Sequence, residues 1–228
     1  MHKGKLTMNK LLIISLLFFA SNISFTQKVL SKEEILDELA RIEKLYKRKD
    51  YVEKLEWSID SVTKLFYDSL KNKNIDTIGI FVEYLPGYIS NDTCDQDQSP
   101  KKCFIHWLKN DKYYSTVLTQ FCDYKIKTIK SSTIIDYYRN SRDDLKNEKI
   151  PPCISSGEID ENGQFSIAAY FIDHEPNYTI FCKIANDSIL IRFNESDFEY
   201  QESLFYKDNR SLKTYSWYKL IKNQIGIE

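Results

Sequence analysis

Histidine is nearly missing from this chain. Only His2, His106 and His174 occur in 228 residues. None of them forms a pair at metal-ligand spacing or an HExxH frame, so a histidine-built metal centre is excluded. Cysteine occurs five times, but never as CxxC, which removes the zinc-ribbon and thioredoxin motifs. Glycine is scarce at six residues. Gly79, Gly87, Gly157 and Gly163 stand singly, near or at turns, and build no phosphate loop. The G-x-S-x-G frame of serine hydrolases does not occur. A basic surplus is also lacking, with 32 Lys and Arg against 33 Asp and Glu. A nucleic-acid partner, which calls for a dense basic footprint, is therefore not expected. No cofactor is expected.

One apolar run stands out, Leu11 to Ala20 (LLIISLLFFA), broken only by Ser15. It is too short for the roughly 20 residues of a spanning helix. Lys3, Lys5 and Lys10 precede it, and Ser24 and Thr26 sit three residues and one residue before Gln27. This is the layout of a secretory signal peptide over 1–26. The expected mature chain, 27–228, is secreted or periplasmic and has no transmembrane anchor. It carries 29 basic and 33 acidic residues, a formal charge of −4. The first cysteine is Cys94, so lipid attachment at a new N-terminal cysteine is not expected.

An exported chain meets an oxidising compartment. Cys94 and Cys103 bracket the polar loop TCDQDQSPKKC, and a disulfide is expected between them. Cys182 is expected to be a free thiol facing the core. Cys153, after Pro151-Pro152, is the best placed by exposure to serve as a nucleophile.

Periodicity predicts an α+β fold in a single domain, with a helical hairpin over 27–74 and a sheet-containing core over 75–228. Ser31 and Glu34 have capping-box spacing. Ile35, Leu39, Ile42 and Tyr46 follow at helical intervals, and a second seam runs through Val52, Leu55, Ile59, Val62 and Phe66. From Ile75 the period falls to two, and a mostly antiparallel sheet with additional helices is predicted. Strands are predicted up to Tyr84, over Phe104–Leu108 and over Tyr113–Ile126, with an Asn110-Asp111 turn between the last two. A helix is predicted over Thr133–Asn147. Four sequential strands follow, Ile154–Ile159, Phe165–Ile172, Tyr178–Ala185 and Ser188–Phe193, and then a helix over Arg210–Asn223. A turn at Asn186-Asp187 would set Ile184 opposite Ile189 and Cys182 opposite Ile191 on one apolar face.

Two histidines remain as catalytic candidates. His106 lies in FIHWL, a strand pattern that suits a half-buried ring as well as a general base. His174 lies in Asp173-His174-Glu175-Pro176, a turn whose acids suit acid–base work. The favoured expectation is a non-catalytic binding or inhibitory protein whose partner is another protein, with exposed aromatics such as Tyr113, Tyr137 or Trp217 as anchors. The alternatives are a small secreted hydrolase using His174, with Glu175, or His106, and a structural cell-envelope component. A concave pocket holding His174, Glu175 and a third polar group would favour the hydrolase.

Overall fold

A computed structural model describes residues 28–46, 61–86, 101–119, 125–170 and 172–226. The signal-peptide segment, the 47–60 join between the predicted N-terminal helices, and Cys94 with most of its loop lie outside the described residues.

The fold is α+β with two antiparallel sheets. The larger has six strands in the order β5-β4-β3-β2-β8-β9. These are β2 (Thr77–Tyr84), β3 (Lys101–Lys109), β4 (Lys112–Thr119), β5 (Lys127–Ile129), β8 (Asn177–Ile184) and β9 (Asp187–Asn194). The smaller sheet joins β1 (Lys28–Val29), β6 (Ile154–Ile159) and β7 (Phe165–Ala169) in the order β1-β6-β7. Helices are α1 (Lys32–Tyr46), α2 (Ser61–Asn72), α3 (Thr133–Asn147), α4 (Glu195–Glu199), α5 (Tyr206–Ser211) and α6 (Lys213–Ile225).

β2 is central, and Thr77 through Glu83 are all buried. Alternation sends Phe81 with its neighbours Tyr178, Ile180, Cys182 and Phe193 to one face, where Ile134, Ile135 and Tyr138 of α3 and Trp217, Tyr218 and Ile221 of α6 cover them. Ile78, Ile80 and Val82 turn to the other face with Ile105, Trp107 and Phe181, under Tyr67 and Leu70 of α2. A strand covered on both faces has no polar alternation to display, which explains the unbroken apolar run from Ile78 to Val82.

The capping box at α1 forms as the spacing indicates. Ser31 N–H donates to Glu34 Oε2 at 2.9 Å, and Glu34 N–H donates to Ser31 Oγ at 3.3 Å. Lys28 adds an ammonium 2.6 Å from Glu34, and these donors hold the carboxyl down to about 2. The two N-terminal helices serve different cores. α1 buries Ile35 and half-buried Leu39 against the small sheet with Ile154 and Phe205, whereas α2 lies under the large one.

Several expectations need correction. The four sequential strands split between the sheets, β6 and β7 in one and β8 and β9 in the other. The turn of the last hairpin is Ala185-Asn186, with Ile184 paired to Asp187, Cys182 to Ile189 and Ile180 to Ile191. The apolar face survives, because a shift of two residues in partner preserves facing. The turn moves because Asp187 is held in the strand: Tyr138 donates to it at 3.0 Å, and Lys146 and Arg142 pair with it. Gly79 and Gly157 lie within strands rather than near turns. A Cβ on Gly157 would meet Ile35 Cγ1 at 2.6 Å, so this glycine admits α1 to the small sheet. The C-terminal helix is two helices, α5 and α6, broken at Leu212. Trp217 is fully buried between Tyr137 and Tyr138 and is no surface anchor. β4 runs as described to Thr119, short of the predicted Ile126, which is exposed.

Candidate functional site

The fold sends the candidate residues to two places. His106, in β3, pairs across the sheet with Gly79 and Ser115 and is 3% exposed. Its Nδ1 lies 2.9 Å from Ser132 Oγ. Ser132 is the N-cap of α3, and its Oγ also accepts the Ile135 N–H at 3.3 Å. Ser132 Oγ therefore bridges the ring and the first turn of α3, with the direction of the His106–Ser132 bond set by the tautomer of the ring. Burial pushes its pKa down to about 4. The ring joins the sheet to the cap of α3.

His174 and Glu175 share a cleft of about 360 Å³ at the end of β8, closed by Ser196, Glu195, Glu199 and Tyr200 around α4. His174 adopts φ 59 in the turn, and its side chain is well exposed. Its Nδ1–H donates to the Pro86 carbonyl at 3.0 Å, and Nε2 lies 3.3 Å from Asp173 Oδ2. Glu175 points inward, where Oε1 accepts from the Ser196 hydroxyl at 3.1 Å. Its Oε2 is buried with no hydrogen-bond partner among the described residues.

A polar cluster lies behind this wall. Asp197, on α4, accepts the backbone N–H groups of Cys153 at 3.0 Å and Asn194 at 2.8 Å, while burial raises its carboxyl. Cys153 is buried, contrary to the expectation from its place after Pro152. Burial raises its thiol, against the hydroxyls of Ser203 and Ser196. An ionised sulfur is disfavoured there. The other cleft wall is anchored to the core, since the Tyr178 hydroxyl lies 3.2 Å from both Glu195 Oε1 and Lys222 Nζ. Burial drives the Tyr178 hydroxyl pKa far upward, so it remains a proton donor.

The cleft therefore assembles His174, Glu175 and a third polar group, Ser196. It does not join them as nucleophile and base, because Ser196 donates to Glu175 while His174 is engaged by Pro86 and Asp173. Ser-x-x-Lys spacing occurs at Ser61–Lys64, Ser99–Lys102 and Ser216–Lys219, and Lys219 on α6 is drawn toward Glu199 at 3.9 Å. Among the described residues no group of three or more His, Cys, Asp or Glu is placed to hold a metal ion. Cys182 is a fully buried thiol, as expected, and burial raises its pKa. No disulfide forms among the described residues; Cys103 is buried in the α2 face of the sheet.

A second concavity, about 430 Å³, runs along β9 at the edge of the large sheet. Ile189 and Ile191 form one wall, and Leu145 and Ile150 at the end of α3 face them, while Leu190 packs on the opposite, α2-side face of the sheet. Arg192, on the strand face of Leu190, is exposed at the margin of this groove and makes no ion pair among the described residues. Neither glycine nor motif spacing marks this groove, because strand order is not written in local periodicity.

No described protein family, no characterised protein and no solved structure matches this chain.

Proposed function

We propose that this is an exported, non-catalytic protein that binds or inhibits another protein. One observation carries the reading: the eight-residue edge strand β9 has no strand on its outer edge among the described residues and runs beside a groove walled by Ile189, Ile191, Leu145 and Ile150. Open edges present unpaired backbone donors and acceptors, and proteins usually blunt them. The opposite edge, β5, is blunted. It is three residues long, contains Lys127 and is flanked by Lys125 and Lys130. The small sheet's edge strand β7 is only five residues long, and short edges discourage pairing. β9 pairs with β8 in unbroken register and has neither lysine nor proline.

Export and the Cys94–Cys103 disulfide belong to the same proposal. Protein purified from its native source is expected to begin near Gln27, and an intact Met1 or Met8 in N-terminal sequencing would remove the export claim. Among the described residues no helix is long and apolar enough to cross a membrane.

The cleft around His174, Glu175 and Ser196 favours the hydrolase as the second reading. A panel of fluorogenic ester, amide, phosphoester and glycoside substrates separates the two. For a binding protein, wild type and His174→Ala give the same background rates. A hydrolase relying on His174 loses about 10²–10⁴-fold in the variant, and such a loss with the fold intact would sink the binding reading.

A further inference from the structure

We infer that β9 takes up an extended segment of a partner protein as an added strand, apolar at alternate positions and carrying a carboxylate opposite Arg192. This rests on the binding-protein reading above and specifies its site.

Two hydrogen bonds outside the regular ladders fix which backbone groups are free. Ala185 N–H donates to Asp76 O, and Glu195 N–H donates to Pro176 O. The first shows that odd-numbered residues at this end of β8 turn their amides toward β2, so even-numbered ones turn toward β9. The second shows that the odd-numbered side of β9 faces β8. In the observed register, Asp187, Ile189, Ile191 and Phe193 therefore meet β8 through their N–H and C=O groups, since antiparallel residues alternate in direction. Ser188, Leu190 and Arg192 turn theirs outward at the sheet edge. Asn194 is already occupied, its N–H given to Asp197. What remains is a run of alternating donors and acceptors that another extended backbone matches, the arrangement used in strand addition.

The side chains state what that backbone should carry. On the α3 side, alternate residues of an added strand fall between Ile189 and Ile191, both half-buried, and Ile150, which favours apolar groups. On the other side they pass Leu190 and Arg192. The remaining charges of the groove are committed. Lys146 pairs with Asp187, and Glu148 caps α6 by accepting the N–H groups of Lys213 at 2.6 Å and Thr214 at 2.9 Å. Arg192 is left to select a carboxylate. A second copy of the chain is a poorer occupant. Self-pairing of β9 about Leu190 would set Arg192 against Ser188 of the second copy and supply no acid on that face.

The test is selection of a phage-displayed library of random dodecapeptides on the mature protein. Leu190→Pro removes an outward N–H that the ladder does not use, and edge strands accept proline at such positions. Selected peptides are expected to alternate apolar residues, carry Asp or Glu, and bind Leu190→Pro about tenfold or more weakly. On Arg192→Glu, a surface change that leaves the edge backbone intact, selection is expected to shift toward basic peptides. Three results overturn the inference: no enrichment on folded wild type, enriched peptides that bind both variants as well as wild type, or a concentration-dependent dimer in sedimentation that Leu190→Pro abolishes. Failure here with an unchanged His174→Ala substrate panel leaves a binding protein that uses another surface; loss of turnover in that panel removes the binding reading itself.

Discussion

Acidification from pH 6.5 to pH 4 is expected to strip about 3 kcal/mol from the stability of the fold through His106 alone. The folded-state pKa is depressed to about 4 by burial, whereas an unfolded chain titrates the ring near its ordinary value. Between those limits the unfolded state binds the extra proton. The contribution is fully present above pH 6.5 and is lost as pH falls through the window. Carboxylates titrate in the same range, so the measurement is a difference. Urea unfolding of wild type and His106→Gln at pH 7 and pH 4 should show the wild type losing about 3 kcal/mol more than the variant. Equal losses would mean that water reaches the ring.

Gly79→Ala is expected to destabilise by about 1–3 kcal/mol, the range for overpacking a closed core. A Cβ there would lie 2.6 Å from Ile134 Cγ2 and 3.1 Å from Ile135 Cγ1. Both side chains are fully buried and have no open space to move into. Alanine within a strand is otherwise better than glycine by roughly 0.5–1 kcal/mol, so the sign of the change decides whether the contact is real. Gly79 is also the cross-strand neighbour of His106. Displacing the first turn of α3 would open the ring to water and let it titrate nearer its ordinary value. Thermal unfolding together with an NMR titration of His106 checks both. An unchanged midpoint with an unchanged titration would show that the helix does not depend on this gap.

Local elements were legible where local chemistry sets them. α3 occupies Thr133–Asn147 as its period indicates, and Asn110-Asp111 forms the turn with φ of 50 and 58. The capping box of α1 was readable from Ser31 and Glu34. Non-local pairing was not. β1 and β5 are too short to show a period, and they exist because β6 and β4 offer partners. Asn186-Asp187 has the better turn composition, yet the tertiary partners of Asp187 move the turn back to Ala185, which adopts φ 55. α4 follows β9 with no intervening loop, and the Asn194-x-x-Asp197 spacing is the one signal that could have revealed it. Ser196, which walls the cleft, and Asp197, which lies behind it, were missed with it. His174 and Glu175 were placed correctly in a turn, but their nearness to Ser196 comes from a return of the chain that no window of sequence contains.

The position of β2 has a consequence for the time course of folding. Its edges are filled by β3 and by β8, and β8 begins at Asn177, long after β2 ends at Tyr84. Pairings of such high sequence separation are slow, because loop closure precedes the contacts that reward it. A chain emerging from its N-terminal side can stack β2, β3, β4 and β5 by successive hairpins. It must then hold β2 with one edge unpaired, and Ile80, Phe81 and Val82 without their β8 neighbours, until roughly half the chain has followed. During that interval the central strand is the part of the molecule most open to mispairing, and holding the chain extended until Ile184 is available would shorten the exposure more than any gain in final stability.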